Sequence, residues 1–380
     1  MNQVDRVNLS VASAEILLQS DNVTEDLGFF TKKLGFRLDE IFPADDPASI
    51  LLSGHGIRLR LERDAEKGAG IVRLMCEDPD ALGGGTRNLT SPCGTKVELI
   101  PANQPMQIPD TRHSFMVRRL KDKAPWVIGR AGMHYRDLIP DRLGGSIIAS
   151  HIRIPDGGPV PDMVHYHTVG FQLIYCYRGW VDVVYEDQGP AMRLTAGDCV
   201  IQPPEIRHRV LEASDNVEVV EIGVPAEHVT TIDHEMELPT PDYRPEREFG
   251  GQIFVHHEVS KAVWHPWRIA GFEHRDTGIN AGTKGVANVQ VARWAGGSTP
   301  APLTSHDTDI LFTFVLEGSM QLEAAGATHA LEPGDAFVIP PGEVTRYGSA
   351  SPDLELLEIS LPGKFATAEH DGFSKNGEPD

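Results

Sequence analysis

Alternation of apolar and polar residues predicts short strands along most of the chain after residue 110. The segment FQLIYCYRGWVDVVYED (171–187) alternates, breaks at Gly179 and then alternates again. Because neighbouring strand side chains point to opposite faces, this pattern predicts a β-hairpin that turns at the glycine. The segment LFTFVLEGSMQLEAAG (311–326) repeats the pattern around Gly318. No stretch of helical periodicity longer than two turns interrupts either region, so each is expected to be an all-β unit.

The first hundred residues show a different pattern. AEILLQSDN (14–22) predicts a strand, and TEDLGFFTKKLGF (24–36) spaces its apolar residues as a helix does, with Thr24 as its cap. ASILLSGHGIRLRLER (48–63) predicts a hairpin, and GTKVELIPA (94–102) predicts another strand. This order of elements predicts a separate, small α+β domain.

The chain contains an internal duplication. GMHYRD and GFEHRD begin at Gly132 and Gly271, 139 residues apart, and His167 and His306 have the same separation. AGDCVIQPPEIRH matches PGDAFVIPPGEVT at an offset of 137. Such agreement at several anchors indicates two copies of one unit. The expected segments are an α+β domain at 1–110, a first copy at 125–240, a charged and proline-rich linker at 241–261, a second copy at 262–362 and a flexible tail at 363–380.

Composition limits the classes of molecule that the chain is expected to bind. The 55 acidic against 34 basic residues give a formal net charge of −21, which disfavours binding to nucleic acid or to an anionic membrane. No apolar run approaches the ~20 residues of a membrane span, and the N-terminus has no signal pattern. Four scattered cysteines without a C-x-x-C pair are typical of reduced thiols. We therefore expect a cytoplasmic protein with a small-molecule partner, and this composition is compatible with a homo-oligomer.

Two histidines stand one residue apart in HYHTVGFQLIYCYRG. On a strand, His165 and His167 point to the same face, and Tyr166 points to the other. Such a pair is either two hydrogen-bonded histidines on a polar face or half of a metal site, because histidine is the commonest metal ligand. This stretch alone leaves both interpretations open.

The surrounding spacing resembles the cupin superfamily. Its motifs are G-x5-H-x-H-x(3,4)-E-x6-G and G-x5-P-x-G-x2-H, and this chain matches their spacing except that Gly158 lies one residue further from the first histidine. With the duplication, the chain resembles a bicupin. The resemblance implies a mainly β fold of two tandem cupin β-barrels, with one divalent metal held by His165, His167, Gln172 and His208.

Two residues depart from the motifs. The family's glutamate is Gln172 here, which coordinates more weakly and leaves the full +2 charge at the centre, so an anionic substrate is favoured. The glycine of the second motif is Glu205. Its carboxylate is either a solvent-facing group in a turn or a hydrogen-bond partner of a ligand histidine.

The second copy has lost the metal ligands. Its equivalent positions are Thr304, His306, Leu311 and Thr345. One imidazole cannot hold a first-row metal alone, so this copy is expected to be structural and His306 an ordinary histidine.

Other side chains near the motifs are candidates for catalysis. Tyr175 and Tyr177 have the same parity on their strand, and with Arg153 they line either a small pocket or a packed core. Arg207 and Arg209 flank the last motif histidine and are either surface residues or a clamp for the substrate.

The N-terminal domain resembles one βαβββ half of the vicinal oxygen chelate (glyoxalase/bleomycin-resistance) superfamily, in the helix DNVTEDLGFFTKKLGF and the closing strand CGTKVELIPA. The positions that bind metal in that family correspond to Glu15 and Glu98. Two carboxylates without histidine make a poor site for a soft metal, so this domain is expected to act as a lid, a specificity element or a dimerisation domain.

These features favour a metal-dependent oxygenase, a dioxygenase, acting on a small organic acid or phenol, with Fe(II) as the first choice of metal and Mn, Ni or Zn as others. A non-redox isomerase, lyase or cyclase that uses the metal as a Lewis acid is the alternative. A small-molecule binding protein is the third hypothesis.

Overall fold

The computed structural model describes residues 11–33, 35–66, 71–90, 96–103, 105–296 and 301–370. The chain is mainly β, as predicted. Contacts divide it into two units, one of residues 1–107 with 163–168 and 228–236, and one of residues 108–162, 169–227 and 237–380. No helix among the described residues is long and apolar enough to cross a membrane.

The N-terminal segment alternates strands with short helices. Its elements are β1 (Val11–Gln19), α1 (Val23–Gly28), a π-helical turn (Phe29–Lys33), β2 (Arg37–Phe42), β3 (Ser49–Gly54), β4 (Ile57–Glu62), β5 (Ile71–Cys76), α2 (Pro79–Gly83), β6 (Asn88–Thr90) and β7 (Lys96–Pro101).

The middle of the chain, which contains the first repeat, is built from short strands. They are β8 (Met116–Arg118), β9 (Val127–Ile128), β10 (His134–Asp137), β11 (Ile148–Ile154), β12 (Gly158–Pro159), β13 (His165–His167), β14 (Phe171–Arg178), β15 (Trp180–Tyr185), β16 (Met192–Thr195), β17 (Cys199–Ile201), β18 (His208–Ala213), β19 (Val217–Val224), β20 (Thr230–Ile232), β21 (Glu248–Phe249), β22 (Gln252–Ile253) and β23 (Val255–His257).

The second repeat follows the same plan. Its elements are β24 (Trp264–Pro266), β25 (Phe272–Asp276), α3 (Ile279–Gly282), β26 (Asn288–Trp294), β27 (Leu303–His306), β28 (Ile310–Glu317), β29 (Met320–Ala324), β30 (Ala327–Leu331), β31 (Ala336–Val338), β32 (Thr345–Ala350), β33 (Glu355–Leu361) and β34 (Thr367–His370). Single 3-10 turns occur at Leu120–Asp122, Arg130–Gly132, Arg142–Gly145 and Val259–Lys261.

The first unit is an α+β sheet structure. Its strand order is β13-β20-β2-β3-β4-β1-β5-β7-β6. The predicted hairpin of β3 and β4 is confirmed, and it turns at His55 and Gly56, whose φ angles are 52° and 79°. Asn22, and not Thr24, caps α1, because its side chain accepts a hydrogen bond from the Glu25 backbone N–H at 3.1 Å. The apolar face of this sheet is buried around Ile50 and Leu61.

Each repeat places its strands in two separate sheets, so the predicted closed barrels are wrong. In the second repeat the orders are β24-β25-β26-β33-β28-β31-β8 and β30-β29-β32-β27-β34. In the second unit's part of the first repeat they are β23-β17-β14-β19-β11-β10-β9 and β16-β15-β18, with β12 beside β18. Apolar side chains fill the interior of each repeat, and a third apolar cluster is shared by the two repeats.

The predicted hairpins around Gly179 and Gly318 are also wrong. β14 pairs with β17 and β19, whereas β15 pairs with β16 and β18, so the glycine takes the chain from one sheet to the other. A Cβ at Gly179 would lie 2.3 Å from the Ser214 hydroxyl, which accepts a hydrogen bond from the Trp180 N–H at 3.0 Å. Gly318 meets Ser351 in the same way. The corner requires glycine both for its positive φ and for this close approach.

The repeats exchange strands reciprocally. β8 precedes the first repeat and pairs with β31 of the second, with Arg118 opposite Ala336. β23 precedes the second repeat and pairs with β17 of the first, with His257 opposite Cys199. Each of these strands is an arm that lies upstream of one repeat and completes a sheet of the other repeat.

Two buried arginines form equivalent hydrogen bonds, each from one repeat to the other. Arg136 of GMHYRD donates to the carbonyl of Gly334 at 2.6 Å, and Arg275 of GFEHRD donates to the carbonyl of Gly197 at 3.0 Å. Burial, with the neighbouring charge of Arg118, lowers the pKa of Arg136 to about 10. The arginine of each matching motif thus bonds to the backbone of the other repeat.

The predicted linker and tail contain strands. Within 241–261 lie β21, β22 and β23, and Arg247 forms ion pairs with Glu186 and Asp187 of the first repeat. In the predicted tail, β34 pairs antiparallel with β27 and so forms the edge strand of that sheet. Residues 371–380 lie outside the described residues.

Candidate metal centre

Three buried histidines come together at the predicted ligand positions. The exposed fractions of His165, His167 and His208 are 1%, 6% and 4%. One ligand nitrogen from each lies within 4.8 Å of those of the other two. Within the described part of the chain, this is the one such cluster of three or more histidine, cysteine, aspartate or glutamate side chains. His165 and His167 reach it from one face of β13, as their spacing predicts.

A hydrogen bond on Nδ1 orients each ring. The Nδ1 atoms of His165 and His208 lie 2.8 Å and 2.9 Å from the carbonyls of Met163 and Ile206. The Nδ1 of His167 lies 2.8 Å from the hydroxyl of Thr230. A carbonyl partner requires the proton on Nδ1, so His165 and His208 present Nε2 to a metal, whereas the Thr230 hydroxyl orients His167 and suits either tautomer.

His208 lies in a dry environment. Burial lowers the pKa of His208 to about 4, so its imidazole is neutral at physiological pH, as a ligand must be. The ring of Tyr185 lies over it, with 5.6 Å between ring centroids. The Tyr185 hydroxyl accepts a hydrogen bond from Gln202 Nε2 at 3.0 Å, and this bond holds the aromatic wall in place.

Gln172 has one side-chain group, its amide oxygen, that is not used in a hydrogen bond with the described residues. Its Nε2 donates to Glu221 at 2.7 Å, whereas its Oε1 is buried and accepts no hydrogen bond from the described residues. A buried amide oxygen without a partner is unfavourable unless something else binds it. Glu221 thus fixes the orientation of the amide, and the amide oxygen is left available for a further bond.

A buried ion pair near this site was not predicted. Arg130 bonds to Asp162, and Asp162 also accepts from the Val210 N–H at 2.9 Å. Burial tends to lower the pKa of Arg130, but Asp162 outweighs it and the net shift is upward. Both groups act on His208 electrostatically. The sequence signal for this pair is weak, because Arg130 lies two residues before GMHYRD whereas Arg268 lies three residues before GFEHRD.

The proposed catalytic tyrosines lie on the opposite face of β14 from Gln172. Tyr175 and Tyr177 belong to the apolar cluster shared by the repeats. Arg275 donates to the Tyr175 hydroxyl at 3.1 Å, and the Tyr177 hydroxyl donates to the Leu316 carbonyl at 3.2 Å. Burial raises the pKa of both phenols. The packed-core alternative therefore describes them, because the side of β14 that they occupy packs against the other repeat.

Arg153 also points away from the interior of the repeat. It bonds to Glu218 at 3.0 Å and stacks 4.8 Å from the centroid of Trp126, whereas its neighbours Ile152 and Ile154 pack in the interior. The Arg153 guanidinium is thus held by its ion pair with Glu218 and by stacking on Trp126.

Glu205 is a turn residue. Its side chain is exposed, its φ is 62°, and its carbonyl accepts from the Arg207 guanidinium at 3.1 Å. The positive φ explains why the motif has glycine at this position. The geometry agrees with the solvent-facing alternative.

The second repeat presents no equivalent ligand set. Thr345 donates to the carbonyl of Thr304 at 3.3 Å, and Nε2 of His306 lies 3.1 Å from the carbonyl of Ile339. Leu311 is buried in the apolar interior. Burial lowers the pKa of His306.

In the N-terminal sheet, arginines occupy the acidic positions. Glu15 is buried and binds Arg60 at 2.7 Å and Arg73 at 3.1 Å, and Arg73 also binds Glu98 at 2.9 Å. These ion pairs use the carboxylates that a metal would need.

Comparison with known proteins identifies the fold. The model of the AraC-like ligand binding domain family matches residues 297–379. No curated protein sequence matches significantly. Among solved structures, a variant of salicylate 1,2-dioxygenase from Pseudoaminobacter salicylatoxidans in complex with gentisate is 18% identical, with a TM-score of 0.50, covering 70% of this chain and 88% of that one. Oxalate decarboxylase from Lactobacillus farciminis, as a formate complex, is 13% identical, with a TM-score of 0.51, covering 68% and 89%.

This chain has the fold of a bicupin. A variant of oxalate decarboxylase from Bacillus subtilis, at 12% identity and a TM-score of 0.50, is similar over 72% of this chain. At these identities the likeness concerns the fold. In the bicupin, the histidine cluster belongs to the first motif set and the second set is degenerate.

Proposed function

We propose that this bicupin is a metal-dependent enzyme, and that its reaction is the oxygenation of a small carboxylic or phenolic acid by a dioxygenase mechanism. The observation that carries the proposal is the cluster of His165, His167 and His208, each ring oriented through Nδ1. Gln172 is the proposed fourth ligand, through its unpartnered Oε1. A divalent ion held there, Fe(II) first and Mn, Ni or Zn as others, would supply oxygen activation or Lewis-acid polarisation.

Charge around the site supports an anionic substrate. Four neutral ligands leave the charge of a divalent ion uncompensated among the ligands themselves. Arg130 is already paired with Asp162, so the uncompensated positive charge of the proposed centre is that of the ion itself. Glu221 lies one hydrogen bond behind Gln172, where it can hold the ligand amide and accept a proton.

The solved neighbours support the same class of substrate. The salicylate dioxygenase structure contains gentisate and the oxalate decarboxylase structure contains formate, and both are carboxylic acids. The overall charge of −21 supports the proposal that nucleic acids and anionic membranes are not partners.

A non-redox function is the second candidate, and Gln172 favours it. An amide in place of the motif's glutamate suits a Lewis-acid isomerase, lyase or cyclase. A small-molecule binding protein is the third candidate, supported by the match to an AraC-like ligand binding domain.

Metal analysis with an oxygen electrode separates these candidates. Protein purified without added metal is assayed for bound metal, then loaded with Fe(II) and mixed with salicylate, gentisate, formate and oxalate. Oxygen uptake that depends on one acid supports the dioxygenase. Turnover without oxygen uptake, with zinc or nickel bound, supports the Lewis-acid alternative, and retention of an acid without turnover supports the binding protein.

His167→Ala tests the metal centre itself. We expect loss of most bound metal and of all activity, because two imidazoles and an amide bind far more weakly than the full set. Tyr166→Phe is the matched control, since Tyr166 alternates to the other face of β13, and it should keep both. Full metal content and turnover in the alanine variant would show that the histidine pair is structural.

A further inference from the structure

The second repeat contains a polar cavity of about 470 Å³. Its polar lining comes from Arg268, His274, Asn280, Asn288, Gln290 and Lys364. None of these belongs to the histidine cluster, and the cavity lies in the repeat that has lost its metal ligands. Its volume is within the range of small-molecule sites, about 300–1,000 Å³.

The charge of the lining is positive. No aspartate or glutamate is among the described residues that line the cavity, in a chain with 55 acidic residues. Arg268 is paired with Glu358, whereas Lys364 is exposed and makes no ion pair with the described residues. The segments VPAEHVT and LPGKFAT correspond at an offset of 137, so the first repeat has Glu227 where the second has Lys364. This reversal of charge is specific to the second repeat.

Two polar atoms of the lining lack partners. The Oδ1 of Asn280 and the Nδ1 of His274 are buried and make no hydrogen bond with the described residues. Burying such atoms is unfavourable without a partner. A carboxylate oxygen would satisfy His274 in the tautomer that carries its proton on Nδ1, whereas Asn280 Oδ1 is an acceptor and would need a donor on the ligand.

Aromatic rings give the cavity a flat, firm wall. The Arg268 guanidinium lies 4.4 Å from the ring centroid of Trp267 and 5.4 Å from that of Phe365. The Trp267 indole donates to Gln290 Oε1 at 3.0 Å, which fixes the ring. Trp267 is only 8% exposed, so Phe365 and the guanidinium plane of Arg268 are the part of this wall that a ligand can meet, and both suit a planar body.

We propose that the second repeat binds a small carboxylate with a flat apolar body, whose anionic group meets Lys364 and whose body lies against Phe365 and the guanidinium plane of Arg268. This site needs no metal and is separate from the histidine cluster.

The test uses benzoate as the probe, titrated calorimetrically into the full-length protein after chelation of metal. Benzamide, which has the same shape without the charge, is the ligand control. We expect one benzoate per chain, with benzamide about tenfold weaker or more, because a charge-assisted bond is lost. His167→Ala should bind benzoate as the wild type does, which separates this site from the metal centre.

Lys364→Met should weaken benzoate about tenfold or more, and Lys364→Glu, which restores the first repeat's charge, should abolish binding. Lys364→Arg should retain it. Lys261→Met is the matched control for charge, because Lys261 is an exposed lysine paired with Glu258. No benzoate binding up to about 10 mM, or equal binding by Lys364→Met and wild type, would overturn the proposal. Thermal unfolding of each variant checks that its fold is intact.

Discussion

In the proposed ligand set, Gln172 and Glu221 would divide between them what a single glutamate does in the cupin motif. The amide is the proposed ligand and the carboxylate stands behind it at 2.7 Å. The two residues are 49 positions apart and lie on neighbouring strands β14 and β19, so motif spacing could not associate them. Negative charge is thus kept close to the ligand set without entering it.

Gln172→Glu tests this division. We expect tighter metal binding and a raised KM for an anionic substrate, because one negative charge enters the ligand set. The change also sets two carboxylates side by side, which raises the pKa of one of them. The double variant Gln172→Glu/Glu221→Gln exchanges the groups and should keep the tighter binding without that repulsion. Metal-competition titrations measure the metal affinity of each variant, and steady-state kinetics measure its KM. Unchanged metal affinity and KM in Gln172→Glu would exclude Gln172 from the ligands.

Acid should destabilise the metal-free protein through His208. Its pKa is about 4 in the folded state, lowered by burial, against 6.5 for an ordinary histidine. The unfolded chain therefore binds more protons between these values, and the free energy of unfolding falls as pH drops from 6.5 to 4, by about 3 kcal/mol. Urea unfolding at several pH values measures this loss. His208→Gln should show a flatter dependence, and an identical slope would contradict the assignment.

The sequence was informative about the ligands and not about their surroundings. Motif spacing was sufficient to select the three histidines that cluster. Alternation along β14 shows that Tyr175 and Tyr177 share a face. It could not show whether that face points into or out of the first repeat, because either face of β14 could have been the interior. Which face packs against the other repeat is decided by Arg275, 100 residues from Tyr175.

At the scale of elements, the corners at Gly179 and Gly318 define how a repeat folds. Alternation correctly predicted the strands on either side of each glycine. Pairing partners are chosen by distant strands, so a local pattern cannot distinguish a hairpin from a corner between sheets. The tight contact with Ser214 or Ser351 is what makes the corner.

Gly179→Ala should destabilise the fold by about 2–4 kcal/mol. The substitution places alanine in a left-handed backbone conformation and brings its Cβ too close to the Ser214 hydroxyl. Gly251→Ala is the matched control, with a φ of 84° and nothing within 4 Å of its Cβ, so it should cost only the backbone term of about 1 kcal/mol. Denaturant unfolding compares the two. Equal losses would mean that the corner tolerates a side chain.

The whole molecule should bind one metal ion per chain. The first repeat contains the histidine cluster, whereas Thr304, Leu311 and Thr345 leave His306 as the single imidazole among the equivalent positions. Elemental analysis of protein saturated with Fe(II) or Mn(II) should give about one ion per chain. His306→Ala should not change this value. A second ion that is lost on substitution of His306 would contradict the prediction.

The exchanged arms β8 and β23, with the arginines that accompany them, have the symmetry of an isologous dimer contained in one polypeptide. A tether makes such an association intramolecular, so it persists at any dilution. It also removes a constraint that identical subunits impose, since a substitution in a homodimer changes both halves at once. Here one half could keep His165, His167 and His208 while the other acquired Lys364. Fusion thus let the two halves diverge in chemistry without loosening their shared interface.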